Sequence, residues 1–156
     1  MLEVDILGYL KTELSQKEEV MPHDGYTGHL FEEEVLGICK ASCHGYMLWR
    51  EAADLVRKNQ PAKKAPTAIR LEIEVGRQFG EGVRFFTAVR SAMDVFHGVD
   101  GFFEFRGVVV TIDVTTNQHK DSGKADVIVY KGDLENLPVL AGRIAREFKS
   151  KERRTC

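Results

Sequence analysis

The sequence predicts an α/β fold of the α+β type, in which a small mixed sheet of about four strands is flanked by helices. Two observations lead to this prediction. Short runs of aromatic and β-branched residues in the second half of the chain are typical of strands. Apolar residues at helical spacing in the first half, and again near the C-terminus, indicate amphipathic helices. The predicted organisation is a helical N-terminal region over 1–60, an α/β core over 67–150 and a basic tail over 151–156.

Composition bounds the class of protein. The chain has 156 residues, of which 43% are hydrophobic and 29% charged, and this suits a soluble globular domain. No apolar run approaches the roughly 20 residues that span a bilayer, so we expect a cytoplasmic protein without a membrane segment. The net charge of −2 gives no global attraction to nucleic acid, and such binding would need a local patch.

The first half of the chain is predicted to be helical. Helical spacing of leucines predicts a helix from Leu2 to Leu14, and turn-forming residues predict a loop over 21–28. Leu30 to Lys58 is predicted to be one kinked helix or two. We interpret the acidic run 32–34 as complementing the dipole in the first turns of that helix, rather than as a metal site. The single tryptophan, Trp49, is expected to pack in the core.

A segment with two prolines, NQPAKKAP, separates this region from the predicted core. The elements predicted beyond it are a helix over 68–79, a strand over 83–89, a connection over 91–97, strands over 102–105 and 108–114, a polar loop over 117–124, a strand over 125–131 and a helix over 134–149. The tail after residue 150 is expected to be frayed.

Candidate chemistry coincides with the strand pattern in one stretch. Arg106 and Gly107 separate two strand-like runs and predict a tight hairpin. Alternation along the second strand of this hairpin places Asp113 on the opposite face from its valines and isoleucine at even positions. Asp100 begins the first strand, at the end of the hairpin that antiparallel pairing brings near Asp113. The sequence therefore predicts two neighbouring carboxylates, followed by a polar loop that contains Lys120 and Lys124.

This order of elements and acids resembles the core of the PD-(D/E)XK, or restriction-endonuclease-like, nuclease superfamily over residues 68–130. The resemblance implies that Asp100 in GVDGFF and Asp113 in TIDVT bind Mg²⁺ or Mn²⁺. It also implies an accessory acid on the preceding helix, which would be Glu74 or Glu72. Two carboxylates suit Mg²⁺, because this ion takes oxygen ligands and retains several waters.

The chain departs from the pattern of that superfamily at two points. The superfamily has a lysine two residues after the second acid, and Thr115 occupies that position here. The resemblance then implies that Lys120 or Lys124 acts in its place, as a base or as a stabiliser of developing charge. The superfamily also usually has a helix between its third and fourth strands, and the loop over 117–124 is too short for one.

Three functions remain open at the level of the sequence. The first is a metal-dependent nuclease that hydrolyses phosphodiesters of DNA or RNA. The second is a nuclease-like fold without catalytic activity that binds nucleic acid or protein, and the absent motif lysine favours it. The third is a helical adaptor that meets a partner protein through residues such as Tyr46 and Trp49. A homodimer is compatible with each of them.

Overall fold

The structure is a computed structural model that describes residues 24–120 and 123–155. The helices are α1 (Asp24–Leu36), α2 (Trp49–Lys58), α3 (Pro66–Gln78), α4 (Ala92–His97) and α5 (Leu137–Thr155). The strands are β1 (Arg84–Thr87), β2 (Gly101–Phe105), β3 (Val108–Thr115) and β4 (Val127–Tyr130), and a 3₁₀ turn at Lys131–Glu135 precedes α5. The predicted α+β fold with a four-stranded sheet is confirmed. The helix predicted from Leu2 to Leu14 lies outside the described residues.

The strands lie in the order β1-β2-β3-β4, and the sheet is mixed. The first three strands form an antiparallel meander, whereas β4 pairs with β3 in parallel. A two-residue turn joins β2 to β3, since Phe105 pairs with Val108. Arg106 and Gly107 both have positive φ, 51° and 82°, as the favoured two-residue hairpin turn requires. The predicted hairpin is therefore confirmed.

Helices cover both faces of the sheet. On one face, α3 and α5 pack against alternate residues of the strands, including Phe85, Phe103 and Ile112. On the other face, α2 and α4 pack against Phe86 and Phe102. The even-numbered residues of β3 thus face the larger core, as the predicted alternation requires. The sheet and both of its cores belong to a compact unit that starts at Phe31.

The helix predicted over Leu30 to Lys58 is divided into α1 and α2. Gly37 has a φ of 85° and its N–H donates to the Glu33 carbonyl, so α1 ends there. The stretch between the two helices hydrogen-bonds to other segments instead, as when the Cys39 N–H donates to the Val89 carbonyl. The expected burial of Trp49 is wrong, because this first residue of α2 is 38% exposed.

The ends of two helices also differ from the predictions. The loop predicted over 21–28 is helical from Asp24, so the acidic run 32–34 lies in the second half of α1 and does not complement the dipole of its first turns. The tail expected to fray is helical as far as Thr155, the last residue of α5. Lys151 stabilises this last part of α5 by donating to the Val109 carbonyl at 2.6 Å. In the described part of the chain, no helix has the length and apolar character that crossing a membrane demands.

Candidate metal centre

The two predicted aspartates meet at the end of the hairpin. Gly101, the first residue of β2, pairs with Ile112, and the preceding residue, Asp100, donates its N–H to the Ile112 carbonyl at 2.9 Å. Its side chain continues the pairing beyond the strand, because Oδ2 accepts from the Val114 N–H at 2.8 Å. Asp100 and Asp113 are 2% and 8% exposed, and their carboxyl groups share a hydrogen bond. The sequence thus correctly placed these two side chains together.

Two further carboxylates complete the cluster, and neither was predicted from the sequence to belong to the site. Glu32 comes from α1 and Asp94 from α4, and one oxygen of each lies within 4.8 Å of the other and of an Asp100 oxygen. Among the described residues, these three form the one group of His, Cys, Asp and Glu side chains that converges in this way. The acidic run 32–34 was the signal in the sequence for Glu32. Which of its three acids faces the site is decided by how α1 packs near α4 and the start of β2, and the sequence does not show this.

The short helix α4 is held in a fixed position at the cluster. Ser91 caps it by accepting from the Met93 N–H, and Gly98 ends it with a φ of 67°. Asp94 accepts from the Arg90 N–H at 2.8 Å through Oδ2. This bond orients the Asp94 carboxylate from within the turn that precedes α4, so the backbone fixes the position of this acid.

Burial and the charges of neighbouring acids raise the pKa of two acids of the cluster, Asp100 and Glu32. Burial, with the charges of Glu32 and Asp94 next, raises the pKa of Asp100 from 3.8 to about 10. Burial, with the charges of Asp94 and Asp113 next, raises the pKa of Glu32 from 4.5 to about 7. A neutral Asp100 can donate to a neighbouring carboxylate, whereas the Val114 N–H favours the ionised form of Asp100. Bound protons therefore offset part of the negative charge.

Lys120 is the predicted lysine that reaches the acids. Its Nζ lies 2.5 Å from Asp113 Oδ2, and about a third of its side chain is exposed. The hydrogen bond to Asp113 raises the pKa of Lys120, with the charges of Asp113, Asp100 and Glu32 acting in the same direction. The Tyr130 hydroxyl donates to the Lys120 carbonyl and fixes the backbone from β4. The lysine therefore stays cationic at neutral pH.

The other predicted site residues lie away from the cluster and contact other groups. Lys124 is exposed, and its aliphatic part lies against Gly98. Glu74 binds Arg77 at 2.7 Å on the surface of α3, so the structure does not bring this acid to the cluster. Glu72 accepts from the Phe85 N–H at 2.7 Å. Both glutamates lie on α3, which packs against α5, whereas the acids that join Asp100 come from α1 and α4.

The connection from β3 to β4 explains how Lys120 reaches Asp113. Parallel pairing of these strands requires a crossover, and its described residues contain no helix. Asp126 anchors the end of the crossover by accepting from the Thr111 N–H at 2.9 Å, while Thr111 Oγ1 accepts from the Asp126 N–H at 2.8 Å. The crossover therefore runs past the carboxyl end of β3, which is where Asp113 lies.

In comparisons with known proteins, no family model, curated protein or solved structure matches this chain. Function is therefore inferred from the chemistry of the cluster itself.

The donor set fits a hard divalent cation. Carboxylate oxygens are the ligands that Mg²⁺ and Mn²⁺ prefer, and the side chains come from separate elements that hold them in place. The raised pKa values of Asp100 and Glu32 mean that protons offset part of the negative charge of the cluster, and a bound cation would replace these protons. Thus the cluster has the composition of a cation site, and loading it with a cation would release protons.

Proposed function

We propose that this protein is a metal-dependent nuclease that hydrolyses phosphodiester bonds of DNA or RNA. The observation that carries the proposal is the convergence of Glu32, Asp94 and Asp100 from separate elements. Asp113 adds a fourth carboxylate through its hydrogen bond to Asp100, and it pairs with the ammonium group of Lys120. Acidic groups with an adjacent cation are the components that metal-assisted phosphoryl chemistry needs.

Glu32, Asp94 and Asp100 are the residues that would hold the metal ion, and Asp113, which shares a hydrogen bond with Asp100, would join them as the fourth acid. When bound there, Mg²⁺ or Mn²⁺ would polarise the phosphodiester and lower the pKa of an attacking water. The chain contributes the fixed positions of its carboxylates. Asp100 is oriented by Val114 and Asp94 by the backbone of Arg90, so neither side chain has to reorganise when a substrate arrives.

Lys120 would act as a stabiliser of charge rather than as a base. Its raised pKa keeps the ammonium protonated at neutral pH, and a protonated amine cannot accept the proton of water. A cation beside the metal-binding acids can instead lower the energy of a pentavalent, negatively charged transition state. This role accounts for Thr115 at the motif position, because the loop supplies the positive charge that the strand lacks.

Cleavage of labelled DNA and RNA, each single-stranded and double-stranded, with added Mg²⁺ or Mn²⁺ tests the proposal. We expect metal-dependent cleavage by the natural sequence and a loss of at least about 100-fold in Asp113→Asn and in Glu32→Gln. Lys120→Met should lower kcat by about 10²-fold with little change in metal affinity. Glu74→Gln removes an acid that lies outside the cluster and is the matched control.

The result that contradicts the proposal is cleavage that survives in Asp113→Asn at the level of the Glu74→Gln control. A second candidate is a nuclease-like module that binds nucleic acid or protein without cleaving it, and Thr115 is the observation that favours it. Metal binding without cleavage of any of the four substrates would assign the protein to this second class.

A further inference from the structure

An aromatic patch on the surface of the protein includes residues of α4, the helix that carries Asp94 of the cluster. It consists of Tyr46, Trp49, Phe96 and His97. The Tyr46 ring meets Phe96 edge-on at 5.5 Å between centroids, and His97 lies 5.7 Å from both Tyr46 and Trp49. His97 is fixed by a hydrogen bond of 2.7 Å between its Nε2 and the Met47 carbonyl oxygen. The rings therefore form an ordered surface.

The patch is exposed to an extent that packing of the core does not explain. Tyr46 is 63% exposed, and Trp49 and Phe96 are 38% and 37% exposed. Aromatic rings grouped on a surface characterise binding sites, because leaving them in water is unfavourable. A flat ring exposed on one side offers a stacking surface to another flat ring.

The segment that carries Tyr46 and Trp49 has a small positive excess of charge. It contains Lys40 and Arg50, followed by one acid, Glu51. A cleft of about 410 Å³ borders the patch, and its lining includes Trp49 and His97 with Lys124, Lys151 and one acid, Asp126. Lys151 pairs with Asp126 at 2.6 Å, so Lys124 supplies the net positive charge of the cleft. A cation beside exposed rings favours an anionic ligand that carries aromatic groups.

The position of the patch relates it to the acids. His97 and Asp94 belong to the same short helix and are three residues apart, which corresponds to about 4.5 Å of helical rise. Gly98 contacts Lys124 on one side, and Asp100 follows two residues later. The patch and the acidic cluster therefore share the short helix α4 and the turn that follows it.

We infer that the aromatic patch binds an unpaired base of a single-stranded nucleic acid, with Lys124 on its phosphates, so that single strands are the preferred substrate. This inference rests on the proposed nuclease function and specifies its substrate class. A base that is paired within a duplex is stacked on both faces and cannot lie on the rings, whereas an unpaired base can. The acidic cluster would then receive the phosphodiester next to the stacked base.

Intrinsic fluorescence measures this interaction directly, because Trp49 is the only tryptophan in the chain. The probe is an oligothymidylate of about twelve nucleotides, which is titrated into the full-length Asp113→Asn variant in a buffer that contains Mg²⁺. The variant is used so that cleavage of the strand does not interfere. We expect quenching by the single strand and much less by a duplex of the same length. Adding Tyr46→Ala should weaken binding about tenfold, and Tyr46→Phe should restore it, since only the ring is needed.

The control is Val139→Ala, which truncates an equally exposed apolar residue on α5 and should leave the affinity unchanged. Absence of quenching, or equal affinity with and without the Tyr46 ring, would overturn the inference. A change in oligomeric state in Tyr46→Ala, with unchanged affinity for the strand, would overturn it in favour of a protein partner.

The outcomes for the patch and for the nuclease are separable. Cleavage of the same strands by the natural sequence without quenching would refute the patch alone. Quenching that depends on Tyr46, without cleavage by the natural sequence, would refute the nuclease alone.

Discussion

Replacing Asp100 with asparagine should change how stability depends on pH. The asparagine amide resembles a neutral carboxyl group in size and can keep the contacts that the buried acid makes. Its oxygen can accept from the Val114 N–H, and its NH₂ group can donate to Glu32 or Asp113. The variant therefore mimics the protonated state permanently, at a position that is 2% exposed.

The direction follows from the pKa of Asp100, which rises from 3.8 in the unfolded chain to about 10 in the folded protein. Between these values the folded state binds a proton that the unfolded state has lost. The stabilising contribution is therefore complete below about pH 4 and is lost as the pH rises towards 10. One proton gives a slope of about −1.4 kcal/mol per pH unit in the free energy of unfolding.

Between about pH 6 and pH 8, the natural protein should lose up to about 3 kcal/mol relative to Asp100→Asn. For a chain of this length, that corresponds to roughly 5–10 °C in Tm. The assay is thermal unfolding at several pH values with EDTA present, followed by circular dichroism. Asp54→Asn, which removes the same charge from an exposed side chain, is the control. Equal pH slopes in the natural sequence and Asp100→Asn would refute the assignment of a bound proton to Asp100.

Two predictions concern the sheet that carries the site. A Cβ at Gly101 would lie 2.7 Å from Phe85 Cζ and 2.9 Å from the Phe86 carbonyl oxygen, so Gly101→Ala should lower the free energy of unfolding by about 1–3 kcal/mol in urea denaturation. Gly76→Ala meets open space in α3 and should instead stabilise the protein, and equal effects of the two would contradict this reasoning. Glu72→Ala removes the acceptor for the Phe85 N–H on the edge strand β1 and should cost about 1–3 kcal/mol in the same assay, whereas an unchanged midpoint would show that water replaces the carboxylate.

The hairpin shows what local pattern can predict. Its turn residues and the alternation of β3 were sufficient to place Asp113 next to Asp100, on the face of the sheet that points away from the larger core. These relations follow from the fixed geometry of antiparallel pairs and from the period of two along a strand. They need no knowledge of the rest of the chain.

The acids that join this pair could not be predicted in the same way. Glu32 lies 68 positions before Asp100 in the sequence, and no periodicity links the two. Glu74 was the natural expectation because its helix directly precedes the sheet, but that helix covers the other face and pairs Glu74 with Arg77. Which helix meets which end of the sheet is decided by packing of the whole unit. The exposure of Trp49 also depends on where the helices lie. Trp49 was expected to be buried within a helix, but it is the first residue of α2.

The choice between Lys120 and Lys124 likewise depended on the path of one loop. Both lysines lie in the polar loop that the sequence placed near the acids. The parallel crossover and the bond from Tyr130 bring Lys120 to Asp113, whereas Lys124 points along Gly98 towards the cleft beside Trp49. Although the two lysines are four residues apart, Lys120 pairs with the acids and Lys124 belongs to the cleft beside the aromatic patch.

Calorimetric titration of the protein with Mn²⁺ tests the central claim most directly, because it measures the carboxylate cluster as a cation site. We predict binding that releases protons, that strengthens from about pH 6 to pH 8, and that weakens by more than about tenfold in both Glu32→Gln and Asp113→Asn. Glu74→Gln should bind as the natural sequence does. Absence of binding in the natural protein, or equal affinity in all four proteins, would contradict the account.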